Sequence, residues 1–331
     1  MSNLDILGLG NAIVDVIAPI DDDFLAAHDL RKGAMQLIDE AQAENLYATM
    51  GQTTVVSGGS AANTIIGAAR LGCRAGFIGK VKSDSLGAIF THDIRAAGVA
   101  FASAPANDGA ASARCLVFVT PDGQRTMNTF LGACQNLTPE DVDPALVGNS
   151  EFVYLEGYLW DPPEAKRAFL KASEIAHASG RKVALSLSDA FCVDRYRDEF
   201  LSLIRERRVD ILFANESELH SLYQTSDFDT ALGLLRKEYI LAVVTRSEKG
   251  SVVVTRDETH AVKAFSIEKL VDTTGAGDLF AAGFLTGLVK NFAMPDCARL
   301  GALAAAEIIQ HYGARPQDDL KALAAANGFA L

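Results

Sequence analysis

Short apolar runs separated by helix-like stretches constrain this chain more than any other feature. Strand-like segments recur at residues 4–9, 76–78, 152–155, 182–187, 211–214 and 241–245, and helical periodicity fills several of the gaps, as at 163–179 and 216–223. Near-continuous apolar strands are buried on both faces, and parallel strands need a crossover between them, so the pattern predicts a parallel sheet covered by helices on both sides. With 331 residues and 49% hydrophobic content the chain can bury a core of that size. The expected fold class is α/β, a three-layer αβα sandwich.

Two regions break the alternation. Residues 12–50 and 99–130 are richer in β-branched alternation and turn residues, and Thr120-Pro121-Asp122-Gly123 lies between 114–119 and 124–129 as the turn of a hairpin. The remaining segments, 1–11, 51–98 and 131–331, supply the α/β core. Periodicity alone leaves the placement of the two β-rich regions open.

The run from Val271 to Phe284, which contains Asp272-Thr273-Thr274-Gly275-Ala276-Gly277-Asp278, joins a candidate anion site to a candidate base. Gly275 and Gly277 allow a turn with bare N–H groups, and the apolar stretch after them predicts a helix whose N-terminus attracts negative charge. Asp278 then stands beside that site, where a carboxylate can accept a proton from an attacking hydroxyl. Taken alone, the same residues equally serve as a loop end and an acidic helix start.

A second glycine turn, Ser57-Gly58-Gly59-Ser60-Ala61-Ala62-Asn63, opens another helix that ends near Gly72. It either lets a hydroxylated ligand approach the backbone, with Asn63 as donor and acceptor, or simply caps a helix through Ser60. Asn11, Ile13, Asp15 and Ile17 share one face if that stretch is extended, which sets two polar groups among apolar ones. Asn215-Glu216-Ser217-Glu218 reads locally as a helix cap with a capping box. Residues 241–245 and 251–255 flank a turn and read as a hairpin.

Composition removes other classes. A formal net charge of −12 disfavours nucleic acid and anionic membranes as partners, while a small phosphorylated ligand stays compatible. Five scattered cysteines without C-x-x-C spacing and an N-terminus without a signal-like pattern point to a reducing cytoplasm. The six histidines lack metal-ligand spacing. Gly8-Leu9-Gly10 lacks the third glycine of a dinucleotide fingerprint, and no P-loop sequence occurs.

The 272–278 run, with the small-residue helix after it, resembles the C-terminal signature of the ribokinase-like (PfkB) carbohydrate and nucleoside kinases. The resemblance extends over nearly the whole chain and implies a Rossmann-like core with a small β-lid, built here from 12–50 and 99–130, over the substrate. It implies ATP as phosphoryl donor, with Gly275, Ala276 and Gly277 as the anion hole and Asp278 as the catalytic base. It carries sugar binding to Asn11, Asp15, Gly58, Gly59 and Asn63, and a lid cation to Arg125. Asn215 and Glu218 would organise Mg²⁺ through water, and Thr245 and Gly250 would contact ATP. A monovalent cation near Asp272 and Thr274 occurs in part of the family.

Within the family, Gly10-Asn11-Ala12-Ile13-Val14-Asp15, Lys32-Gly33-Ala34-Met35-Gln36-Leu37, Arg125-Thr126-Met127-Asn128 and Asn215-Glu216-Ser217-Glu218 are most similar to the adenosine kinases. That implies 5′-phosphorylation of adenosine to AMP, with Ile13, Ile38, Met127 and Leu131 around the base or, equally, packing within the lid. A ribokinase- or fructokinase-type sugar kinase is the alternative, followed by a catalytically silent sugar- or nucleotide-binding protein. The expected partners are small molecules, ATP and a nucleoside or sugar, with the chain a monomer or homodimer.

Overall fold

The computed structural model describes residues 4–331; residues 1–3 of the expected core segment lie outside them. In chain order the first half contains β1 (Leu4–Leu9), β2 (Ile13–Pro19), α1 (Asp22–Ala27), β3 (Met35–Leu37), α2 (Glu40–Thr49), β4 (Thr54–Gly58), α3 (Ser60–Arg70), β5 (Ala75–Ile78), α4 (Ser85–Ala96), β6 (Ala100–Phe101), β7 (Ala113–Val119), β8 (Arg125–Phe130) and α5 (Pro144–Gly148). The second contains β9 (Ser150–Glu156), α6 (Pro163–Ala178), β10 (Lys182–Ser186), α7 (Ala190–Arg205), β11 (Ile211–Asn215), α8 (Glu216–Tyr223), α9 (Phe228–Lys237), β12 (Leu241–Thr245), β13 (Ser251–Val254), β14 (Thr259–Val262), α10 (Ala276–Val289), α11 (Met294–Ile308) and α12 (Leu320–Ala326).

Nine strands form the large sheet in the order β14-β13-β12-β11-β10-β9-β1-β5-β6. Pairing is parallel from β6 to β12 and antiparallel over the last two pairs, where β12 and β13 make the hairpin expected at 241–255. Successive strand residues point to opposite faces, and each face meets its own helical layer. Ile6, Phe77, Tyr154 and Phe213 pack with Ile65 of α3, Phe284 of α10 and Leu300 of α11. Leu7, Val153, Leu185 and Leu212 pack with Phe169 of α6, Phe200 of α7 and Leu219 of α8. This is the three-layer sandwich that the apolar runs predict.

The small sheet has the order β3-β8-β7-β2-β4. It differs from the sequence expectation in three respects. Its edge strand β4 comes from 54–58, beyond the 12–50 segment, while β6, within 99–130, belongs to the large sheet. Two helices, α1 and α2, lie inside 12–50, each opened by an aspartate that accepts a first-turn amide, Asp21 from Phe24 and Asp39 from Gln42. They cover one face, where Val16, Leu116 and Phe118 pack with Leu25 and Leu46. Ile38 packs against this cluster too, as in the lid-packing alternative of the sequence reading. The opposite face carries Ile13, Asp15, Ile17, Val117 and Met127 in adjacent registers.

Among the described residues, no helix is long and apolar enough to cross a membrane. All five cysteines are buried free thiols.

Helices α3 and α10 approach closely at Gly67, where an added Cβ would stand 2.6 Å from Leu279 and 2.8 Å from Ala282. Gly67→Val is therefore expected to destabilise the protein by about 1–3 kcal/mol through overpacking. Urea unfolding measures this, and an unchanged midpoint would show that the two helices can part without loss.

Candidate active site

Open α/β sheets bind ligands outside the carboxyl ends of their strands, near the point where strand order reverses. Here β1 has β5 on one side and β9 on the other. Asn11 follows β1, Glu156 ends β9, Asn215 ends β11 and Thr245 ends β12. A cavity of about 770 Å³ opens at this edge, lined by Ser60, Asn215, Glu218, Thr245, Gly250, Gly275, Ala276, Gly277 and Asp278. Residues expected at the nucleotide and at the reacting centre thus share one cavity.

Gly275 caps α10 with a left-handed backbone (φ 78°), a conformation that glycine adopts without strain. The amides of the first turn have no partner within the helix, although Ala276 N donates to Thr273 O at 3.2 Å, and a helix start of this kind suits an anion. Asp278 lies in that turn. Its Oδ1 accepts from Ser60 Oγ at 2.7 Å and its Oδ2 from Asn63 Nδ2 at 2.9 Å. Burial raises its pKa, partly offset by those two donors and by the nearby Arg315 charge. Ser60 is consequently a partner of Asp278 and not the helix cap considered from sequence; the cap position of α3 is Gly59.

Asp15 projects from β2 opposite Val56 and Cys115. Gly58 leaves room for it, since a Cβ there would stand 2.4 Å from its Oδ2. Burial pushes the Asp15 pKa up to about 6, against the pull of Arg315 and Arg125. Gly59 has φ 95°, and a Cβ there would meet the Asn11 carbonyl at 2.2 Å, so these backbones touch. Asn11 is buried, and its N–H donates to Glu156 Oε1 at 2.7 Å. Glu156 Oε2 accepts from Ala61 N, also at 2.7 Å, while burial raises its pKa to about 7. Asn63 bridges Asp278 and Arg315.

On the nucleotide side, Asn215 and Glu218 form a full capping box across the start of α8. Glu218 is buried, which raises its pKa to about 7. Arg125, the expected lid cation, is paired with a carboxylate. Its Nη1 donates to Asp272 Oδ1 at 2.7 Å, with side chains only 9% and 2% exposed. Asp272 also accepts from Thr274 N at 3.0 Å and Gly313 N at 2.9 Å. Its charge is thereby compensated, and both oxygens accept hydrogen bonds.

Sequence reasoning missed Arg315 and Glu156. A carboxylate at the end of an apolar strand signals Glu156, but nothing local marks Arg315, whose partners Ser57 and Asn63 lie more than 250 positions away (separations of 258 and 252).

Fold and site together define a phosphotransferase with an alcohol group as acceptor. The chain belongs to the pfkB family of carbohydrate kinases, whose profile matches residues 33–320. It is similar to a solved adenosine kinase from Sinorhizobium meliloti, at 52% identity over 99% of this chain and 100% of that one, with a TM-score of 0.94. A solved probable sugar kinase from Rhizobium etli CFN 42 is 50% identical over 99% of both chains, with the same TM-score of 0.94. Adenosine kinase 2 of Arabidopsis thaliana is 28% identical over 94% of this chain and 96% of its own.

The Arg125–Asp272 pair joins the small sheet to the loop before α10. Removing one member leaves a buried charge, so Asp272→Ala is expected to lose about 3–5 kcal/mol, and Arg125→Met with Asp272→Leu to recover most of it. Burial would raise the Asp272 pKa, but Arg125 and the two amides hold it below its ordinary value. Its stabilisation is therefore present above the ordinary carboxylate range and is lost as pH falls through the lowered value. Thermal melts of both variants across that range test the assignment; equal losses in the single and double variants would exclude it.

Proposed function

We propose that this protein transfers the γ-phosphoryl group of ATP to the 5′-hydroxyl of adenosine, giving AMP and ADP. One observation carries the reading: Asp278 stands where the large cavity meets the Asp15 and Arg315 cluster, between a nucleotide side and an acceptor side. The acceptor hydroxyl gives its proton to Asp278, whose raised pKa brings it nearer the working pH of a general base. The first-turn amides at Gly275, Ala276 and Gly277 stabilise charge on the transferring phosphoryl group. Asp15 accepts from the ribose hydroxyls, with Asn11, Gly58, Gly59 and Asn63 framing the sugar.

Thr245 and Gly250 border the nucleotide, and the oxygen donors of Asn215 and Glu218 suit Mg²⁺ held through water. No cluster of three or more His, Cys, Asp or Glu that could hold a metal occurs among the described residues, and Mg²⁺ keeps several waters when few protein ligands are present. When bound, it neutralises charge on the ATP phosphates. Arg125 keeps the small sheet against the loop that carries the anion site. The free thiols suit a cytoplasmic setting.

The adenosine assignment draws on apolar surface at the acceptor side. Leu37, Thr129, Cys115 and Asp15 occupy one cross-strand row, and Met35, Met127, Val117 and Ile17 the next. Met35 and Leu37 are 41% and 52% exposed there, a shelf suited to a flat base. The sugar-kinase name of the Rhizobium etli relative keeps a free sugar as the second reading.

Adenosine is expected to give the highest kcat/KM in a panel with inosine, guanosine, ribose and fructose, measured as ADP release. A tenfold preference for either sugar, about 1.4 kcal/mol, would replace the nucleoside with a sugar acceptor. Asp278→Asn keeps the size of the side chain and is expected to lower kcat by about 10² to 10⁴ with little change in calorimetric nucleoside binding. A near-native kcat would remove Asp278 from the mechanism.

A further inference from the structure

We infer that Arg315 is a positioning residue of the phosphoryl-transfer site and acts on Asp278 through the side-chain amide of Asn63. The inference rests on the reading of Asp278 as the base. Arg315 follows α11 in a loop held by buried Glu307, whose Oε1 accepts from Gln317 N at 2.8 Å, Asp318 N at 3.0 Å and His311 Nε2 at 3.0 Å. The guanidinium forks: Nη1 donates to Asn63 Oδ1, and Nη2 donates to Ser57 Oγ at 3.1 Å.

A guanidinium can only donate. It therefore fixes which end of the Asn63 amide is oxygen, and the NH₂ end is left to donate to Asp278 Oδ2. With the amide turned over, donor would face donor at Arg315 and oxygen would face oxygen at Asp278. Ser60 holds the second carboxylate oxygen, so the chain from Arg315 through Asn63 leaves Asp278 a single orientation.

Charge acts in the same direction. Asp278 has Asp15 on β2, Glu156 on β9 and Glu218 on α8 as acidic neighbours, whereas Tyr154 on β9 stays neutral because burial raises the pKa of its phenol. Arg315 supplies the opposing positive charge and lowers the pKa of both Asp278 and Asp15, with Arg125 also acting on Asp15. Burial lowers the pKa of Arg315 itself to about 10, and Asp15, Asp278 and Asp93 oppose that fall, so it stays cationic at neutral pH.

The test measures kcat and KM against pH with Mg-ATP and the best acceptor of the panel, in the full chain carrying Arg315→Gln or Arg315→Lys. Arg315→Gln is expected to lower kcat about 10- to 100-fold, the usual effect of losing an orienting partner. It should also move the acid limb of the kcat profile up by about one pH unit, as loss of a nearby opposite charge does, with KM for ATP unchanged. In an Asn63→Leu background the kcat loss from Arg315→Gln should largely vanish, because the relay is already cut. Arg315→Lys keeps the charge without the fork, so kcat should fall while the limb stays in place; this variant decides the matter if Arg315→Gln does not fold.

A lowered melting temperature with a wild-type limb and kcat in Arg315→Gln would overturn the proposal. So would fully multiplicative effects with Asn63→Leu, or a wild-type kcat in Arg315→Lys. An active Asp278→Asn removes the base itself, whereas an inactive Asp278→Asn beside a wild-type Arg315→Gln removes only Arg315.

Discussion

The contact between α3 and α10 is the constraint on which the site depends. At Gly67 the two helices come close enough for Leu279 and Ala282 to fill the space of a side chain, and their N-termini then lie side by side. Only in that arrangement do Ser60 and Asn63, in the first turn of α3, reach the carboxylate of Asp278 in the first turn of α10. Both helix starts carry glycine at the cap, Gly59 and Gly275, so neither has a side chain to satisfy its own amides. For α3 a distant residue does this: Glu156, at the end of β9, accepts from Ala61 N. For α10 the first turn borders the cavity, where a phosphoryl group can take the same role.

Much of this was legible from local pattern. The apolar runs announce the sandwich because strands buried on both faces have little choice of residue. The capping box at Asn215 and Glu218 and the hairpin after Leu241 are local features, and each forms where its sequence indicates. The Gly275 to Asp278 turn is legible for the same reason. Its chemistry is concentrated within a single turn of chain.

What escaped has physical causes. Thr54–Gly58 falls within the expected core segment 51–98 because an edge strand with exposed Thr54 and Val55 shows no buried alternation. Ile38 follows β3 directly, and because one residue in a strand separates the two faces of a sheet, the sequence left open which face it takes; it packs on the side under α1 and α2. Arg125 and Arg315 are single charges whose meaning lies in partners 147 and 252 positions away, Asp272 and Asn63. Periodicity cannot report such pairs; only the closed arrangement of the two sheets does.

The two arginines divide the electrostatics of an acidic site. Arg125 is committed to Asp272, so its charge ties the small sheet to the loop before α10. Arg315 is shared among Asp15, Asp278 and Asp93 and contributes potential as well as hydrogen bonds. The remaining carboxylates answer burial with raised pKa values, Glu156 and Glu218 both to about 7. Well below the ordinary glutamate value of 4.5 both are protonated, folded or unfolded, and have no effect on stability. As pH rises toward 7 the unfolded chain ionises freely while the folded one resists, so these two groups withdraw stability across that window. Asp272 works in the opposite direction, adding stability above its lowered pKa. A site whose acidic groups oppose folding at neutral pH, held closed by one buried ion pair and one close helix contact, fits a centre shaped by charge transfer more than by stability.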